Sequence, residues 1–324
     1  MDSFIQCAFG LGGPSAGHPL TGAALVETLR ADDLAWVHLD GRLPESRDWI
    51  MQNLTYLDPP AIAALLAEET RPRATVIGEG VLIVLRGVNV NEGDDPVDMV
   101  SLRAWVDPHR IVSLSMRRVA AVQDLSDLFV SGKGPRTAGG WLGTLADLLN
   151  ARIEPFVGTV AEQVDRIEED VFTAPIADAE RQAMSEARMS VVSLRRHLSP
   201  QRDALAALAK PDHGFIAKVE ARRLHEAQDR TARAVEELDL MRERLTVLRE
   251  EIAGQQSERM NRTMMLLSVI STVFLPLGFL TGLFGVNLAG IPGASHPWGF
   301  AALCVGLLVL VGLQLFLLRR LWRN

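Results

Sequence analysis

The chain has 324 residues and a formal net charge of −7, yet no Asp, Glu, Lys or Arg occurs from Thr263 to Leu318. All 40 acidic residues precede that run, which excludes a purely cytosolic protein. The charge balance ahead of it, 30 basic against 40 acidic residues, disfavours nucleic acid as a partner, because phosphate binding needs clustered positive charge.

At roughly 100–200 residues per domain, two modules are expected. The N-terminal stretch MDSFIQCAFG lacks the basic and long apolar regions of a signal peptide, so the front portion is expected to stay cytoplasmic. Helical segments are predicted at Ala23 to Arg30 and Pro60 to Glu69. Five β-branched runs between turn residues read as strands: WVHLD (Trp36 to Asp40), TVIG (Thr75 to Gly78), VLIVLRGV (Val81 to Val88), VSLRAWV (Val100 to Val106) and RIVSLSM (Arg110 to Met116). The VDPHR turn makes the last two a hairpin. Together these predict an α/β domain over residues 1–140, and no phosphate loop, GxGxxG or nucleophile elbow in it suggests an enzyme.

Residues 141–262 read as a helical funnel and stalk. Helices are expected from Thr144 to Thr173 and from Asp178 to Lys210, where Ser199-Pro200 is either an N-cap or a kink. From Phe215 to Leu275 there is no proline and one glycine, Gly254, so a single helix of roughly 90 Å is possible. Within it Leu224, Ala227, Thr231, Ala234, Leu238, Met241, Leu245, Leu248 and Ile252 alternate at spacings of three and four, the seam of a helix packed on other helices.

Residues 263–324 form the predicted membrane domain. About 20 apolar residues cross the hydrocarbon, and two such spans fit, about 264–284 and 298–318, joined by the Gly- and Pro-rich loop 285–297. Arg259 and Arg262 precede the first span, and Arg319, Arg320 and Arg323 follow the second. The positive-inside rule then places both termini in the cytoplasm and the loop outside.

Neither Cys7 and Cys304 nor the scattered histidines suggest a disulfide framework or a structural zinc site. His296 is the one histidine in the loop and a candidate zinc ligand, since imidazole suits that ion, although a lone loop histidine is more often solvated. The acidic groups Asp94, Asp95, Asp98 and Glu168, Glu169, Asp170 read as solvated faces, with cation concentration as the second reading.

The string NRTMMLLSVISTVFLPLGFLTGLFGVN resembles the end of the stalk and the first membrane helix of the CorA-type metal ion transporter family, whose signature there is Gly-Met-Asn. Here it reads Gly285-Val286-Asn287. That departure, with the earlier RPRATVIGEGVLIVLRGVNVNEGDDPVDMVSLRAWVDPHRIVSLSMRR, is similar to the zinc-transporter branch of the family. The resemblance implies an α+β membrane protein of the bacterial inner membrane: a homopentamer with a cytoplasmic α/β domain, a long-helix funnel, the first span lining a central pore and the second outside it. It also implies a selectivity site at Gly285, Val286 and Asn287, and pore-lining residues Ser257, Asn261, Met264, Leu267, Ser271, Leu275 and Gly278.

Five Asn287 amides would offer oxygens to a cation without a fixed charge to trap it. Zinc is the expected cargo, with protons as a second partner and no resident cofactor. A magnesium or cobalt channel of the same build, and a non-conducting membrane-anchored sensor or scaffold, stay open at this point.

Overall fold

The computed structural model describes residues 3–55, 57, 59–67, 70–173, 178–210, 213–285 and 297–321. Two compact units divide the chain, Met1–Leu248 and Arg249–Asn324.

The first unit opens with β1 (Ile5–Gly10), α1 (Gly22–Arg30), β2 (Ala35–Asp40), α2 (Pro44–Asn53) and α3 (Pro59–Leu66). There follow β3 (Arg73–Ile77), β4 (Gly80–Gly87), β5 (Val100–Val106), β6 (Arg110–Ser115) and α4 (Ala120–Val130). All five predicted strands and both predicted helices are present, whereas β1, α2 and α4 are additions. Helix α3 ends at Leu66, before the expected Glu69, and residues 68 and 69 lie outside the described ones.

The six strands form one sheet in the order β1-β2-β6-β5-β4-β3. Only β2 and β6 pair in parallel. Ile77 pairs with Gly80, which leaves Gly78-Glu79 as the turn, and Gly78 adopts φ +58°, a conformation glycine takes without steric cost. The predicted β5–β6 hairpin is built on Asp107: its Oδ1 accepts the backbone N–H groups of His109 and Arg110 at 2.8 Å, and its Oδ2 accepts Trp105 Nε1 at 2.7 Å.

Alternation along the strands gives each face its own core. On one, Val37, Leu39, Val112, Leu114 and Trp105 pack with Leu25 and Leu29 of α1, Ile50 of α2 and Leu65 of α3. On the other, Trp36 stacks among Phe9, Phe129 of α4 and Trp141, and its Nε1 donates to Ser113 Oγ at 2.8 Å. His38 sits beside it, 1% exposed, with its ring nitrogens 2.9 Å from Ser113 Oγ and 3.2 Å from Ser115 Oγ. Burial holds its pKa down at about 4.

Three long helices follow: α5 (Ala138–Thr173), α6 (Asp178–Leu208) and α7 (Lys218–Gly285). Helix α6 continues through Pro200, so Ser199-Pro200 does not start a helix and, of the two readings, the proline within a helix is the one that fits, while α7 runs as one helix from Lys218 to Gly285. All nine seam residues of α7 are buried.

Arginines one position ahead of the seam pair with α5: Arg223 with Asp147 and Arg230 with Glu154 at 2.5 Å, and Arg244 Nε with Glu168 at 2.9 Å. Each pair is 76 residues apart, and a constant separation requires α5 and α7 to run parallel in heptad register. Arg195 of α6 pairs with Asp239 of α7.

In the second unit, α7 continues to Gly285 and α8 covers Gly299–Leu321. Both contain stretches long and apolar enough to cross a membrane, and neither stretch is buried within the chain.

Candidate functional site

On the membrane part of α7, at 100° per residue, Ser257, Asn261, Met264, Leu267, Ser271, Leu275, Gly278 and Gly285 fall within an arc of about 120°. All of them are exposed in the single chain, Leu275 the most among the large apolar ones at 75%. The half-buried residues of the same segment, Val269, Val273, Pro276, Leu277 and Leu280, lie on the opposite side.

That opposite side faces α8. Half-buried Leu303, Leu307, Leu310, Gln314 and Leu318 recur there at three- and four-residue spacings. Gln314 Nε2 donates to the Thr272 carbonyl at 3.2 Å. The reason is chemical. Pro276 has no N–H, so the carbonyl four residues before it, that of Thr272, has no partner along the helix. In hydrocarbon such a group must be satisfied by a neighbour, and Gln314 supplies the donor. Its Oε1 is buried with no hydrogen-bond partner among the described residues.

The predicted pore residues thus share one face of one helix, and that face is turned away from α8. Val286, Asn287 and His296 lie outside the described residues. No three or more His, Cys, Asp or Glu side chains come together as a metal site among the described residues.

The acidic groups noted in the sequence are exposed or half-buried, in keeping with solvated faces, and several of them have partners. Asp94 pairs with Arg117 at 3.3 Å and accepts Asn89 Nδ2 at 3.1 Å, and these contacts hold its carboxyl below the usual range, the Asn89 bond contributing most. Asp95 accepts the backbone N–H of Val97 at 2.9 Å. Glu168 belongs to the α5–α7 ladder, and Glu169 and Asp170 are exposed. Cys7 is buried, which pushes its thiol up to about 12, and Cys304 is half-buried on α8, so both are free thiols.

Two contributors were not anticipated from sequence, Gln314 and the Thr272–Pro276 step. A signal existed: Gln314 is the one amide side chain in the second predicted span.

Comparison with known proteins gives a consistent picture. A family model described as CorA-like Mg2+ transporter protein matches residues 31–320. The divalent cation transporter CmaX of Pseudomonas aeruginosa is 40% identical over 299 residues, covering 92% of this chain and 90% of that protein. The zinc transport protein ZntB of Pectobacterium carotovorum is 36% identical over 287 residues, covering 88% of this chain and 86% of that protein. The solved structure of full-length CmaX superposes with a TM-score of 0.84 at 37% identity, covering 99% of this chain and 98% of that one.

Proposed function

The chain belongs to the CorA-like transporter family, and from that premise we propose that this divalent metal cation transporter carries zinc through a pore made by five copies of α7. One observation carries the pore reading. The face with Ser257, Asn261 and Ser271 among apolar residues is exposed in the chain and points away from the one other span among the described residues. A pair of packed helices encloses no lumen, so that face needs further copies of itself, with α8 on the outside.

In this arrangement Met264, Leu267 and Leu275 form apolar rings that close the path by dewetting. Gly285, Val286 and Asn287 form the mouth. The Asn287 amides accept hydrogen bonds from the water shell of the ion, so only part of the large cost of stripping a cation is met at that step. The metal is cargo, and no resident cofactor takes part.

The support for zinc is the Gly285-Val286-Asn287 sequence together with ZntB among the relatives. Both termini are cytoplasmic and the membrane is the bacterial inner one, in keeping with the arginines that flank the two spans. From Thr263 to Leu318 the only side chain that titrates near neutrality is His296, so a proton-linked cycle runs through His296 and water or originates in the soluble part.

Purified protein in liposomes loaded with a metal-sensitive dye tests the reading. Zinc uptake that cadmium competes and magnesium does not is expected. Magnesium-preferring uptake would replace zinc with magnesium as cargo, and absence of any uptake from correctly assembled protein would leave only the scaffold reading.

A further inference from the structure

The first unit holds a cavity of about 540 Å3 whose lining includes five arginines, Arg71, Arg86, Arg103, Arg117 and Arg196, together with His197. Asp98 is its only carboxylate among the described residues. That concentration of guanidinium groups is opposite in sign to the net charge of the chain, −7. It is also remote in sequence from the pore helix.

The groups are arranged in tiers. Arg103 forms the floor, 1% exposed on β5. Arg86, on β4 beside it, is held in place: its guanidinium donates to the carbonyls of Met99 at 2.6 Å and Thr70 at 2.8 Å. Arg71, Arg117 and Arg196 are exposed at the rim. Arg71 and Arg196 have no ion pair among the described residues.

The hydroxyls of Thr70 and Ser101 lie 3.0 Å apart in the same lining. Gln201 fixes the α6 wall by a reciprocal pair with Arg86, accepting its backbone N–H at 2.6 Å and donating to its carbonyl at 3.1 Å. The cavity is therefore formed before anything enters it, which lowers the cost of binding.

The electrostatics agree with the geometry. Burial, then the charge of Arg86, lowers Arg103 to about 10. Burial, then Arg86 and Arg196, lowers His197 to about 4, and its Nδ1 is buried with no hydrogen-bond partner among the described residues. Burial disfavours charge of either sign, and the part of these shifts that comes from Arg86 and Arg196 is the part that favours an anion.

We propose that this cavity binds a small, multiply charged phosphate anion of the inorganic phosphate or pyrophosphate class. Guanidinium forks match phosphate oxygens two at a time. Among the described residues the lining contains no Phe, Tyr or Trp, so its polar and guanidinium groups suit the phosphate itself better than a nucleobase. A bound anion would bridge α6, through Arg196, to the sheet, through Arg86. It would thereby tighten the helix whose Arg195 pairs with Asp239 of α7.

The test is calorimetric titration of the full-length protein in nanodiscs with phosphate, pyrophosphate and, as a carboxylate comparator, citrate. Saturable binding of phosphate or pyrophosphate is expected, one site per chain, weakening as salt is raised. Arg71→Gln and Arg196→Gln, each at an exposed residue, are expected to lower the affinity by at least about tenfold apiece. Arg222→Gln, on the exposed side of α7, is expected to leave it unchanged. Circular dichroism of the same samples checks that the variants keep their helices. Any of three results would overturn the proposal: no saturable binding of either phosphate, equal weakening by Arg222→Gln, or binding of citrate alone.

Discussion

Thr231 and Asn150 meet in the buried seam between α7 and α5, with the threonine hydroxyl 3.0 Å from Asn150 Oδ1 while Asn150 Nδ2 donates to the Ala227 carbonyl at 2.8 Å. Both side chains are at most 1% exposed. A polar pair inside an otherwise apolar heptad seam fixes which residues face each other, because a slip leaves the Asn150 amide unpaired, whereas the Thr231 hydroxyl keeps its bond to the Ala227 carbonyl of its own helix at 3.0 Å. Asn150→Ala is expected to cost about 1–3 kcal/mol, since the Ala227 carbonyl and the Thr231 hydroxyl lose a partner. Thermal unfolding of Asn150→Ala, Thr231→Val and the double variant checks this, with the double variant losing less than the sum.

The ladder outside that seam is a surface feature and should respond as one. Arg230 holds the Glu154 carboxyl below its ordinary value of 4.5. A lowered carboxylate pKa contributes stability above the unfolded value, lost as pH falls through the folded one. The stability difference between the protein and Glu154→Gln is expected to narrow as the pH is taken below 4.5, and to narrow again at high salt. Melting curves over a pH and salt grid would show whether it does.

His38 acts in a different pH window. Its folded pKa of about 4 lies below the ordinary 6.5, so the unfolded chain takes up the proton first. Stability is therefore complete above pH 6.5, declines as pH falls below it and stops declining near 4. His197 contributes over the same range. His38→Gln, which cannot titrate, is expected to flatten part of that slope, and amide exchange in β2 and β6 at pH 5 and 7.5 locates the effect.

Gln314 should matter only because Pro276 is where it is. Gln314→Leu leaves the Thr272 carbonyl without its donor and is expected to cost about 1 kcal/mol. Pro276→Ala restores the missing N–H, so in that background Gln314→Leu should cost little. Melting of the four proteins in one lipid composition decides it. Equal losses in both backgrounds would detach Gln314 from the proline.

At the proposed pore mouth, Asn287→Ala is expected to assemble normally and to lose most zinc flux, because an apolar rim cannot accept hydrogen bonds from the water shell of the ion. Asn53→Ala, at the end of α2 where the amide donates to the Trp49 carbonyl at 2.9 Å, is expected to change flux little. Size-exclusion chromatography and liposome flux on the same preparations compare the two. A pentameric Asn287→Ala protein with undiminished flux would remove Asn287 from the mechanism.

The sequence was most informative where one periodicity dominated. Val100–Val106 has the same limits in the structure, and every seam residue from Leu224 to Ile252 is buried, because apolar spacing alone decides such elements. It was least informative where the signal was mixed. In β1, IQCAFG, one β-branched residue is followed by a polar one and then by small and aromatic ones. In α2, PESRDWIMQN, only Ser46 and Ile50 are buried.

The arginine-lined cavity was hidden for another reason. Arg103 sits inside a strand that reads as apolar, and what surrounds it comes from the stretches before β3 and β5, from β4, from just after β6 and from α6. The exposed arc on α7 was legible as spacing. Its opposition to α8 was not, because that depends on which residues the second span happens to meet.

The fixed separation of 76 residues between ladder partners gives the bundle a unit of length. Seven residues added to both α5 and α7 would repeat the same pairings one step further on, lengthening both helices by about 10 Å. One residue added to α7 alone would rotate everything beyond it by about 100° and present the wrong side chains to α5. The ladder therefore tolerates changes of length only in whole heptads matched in both helices.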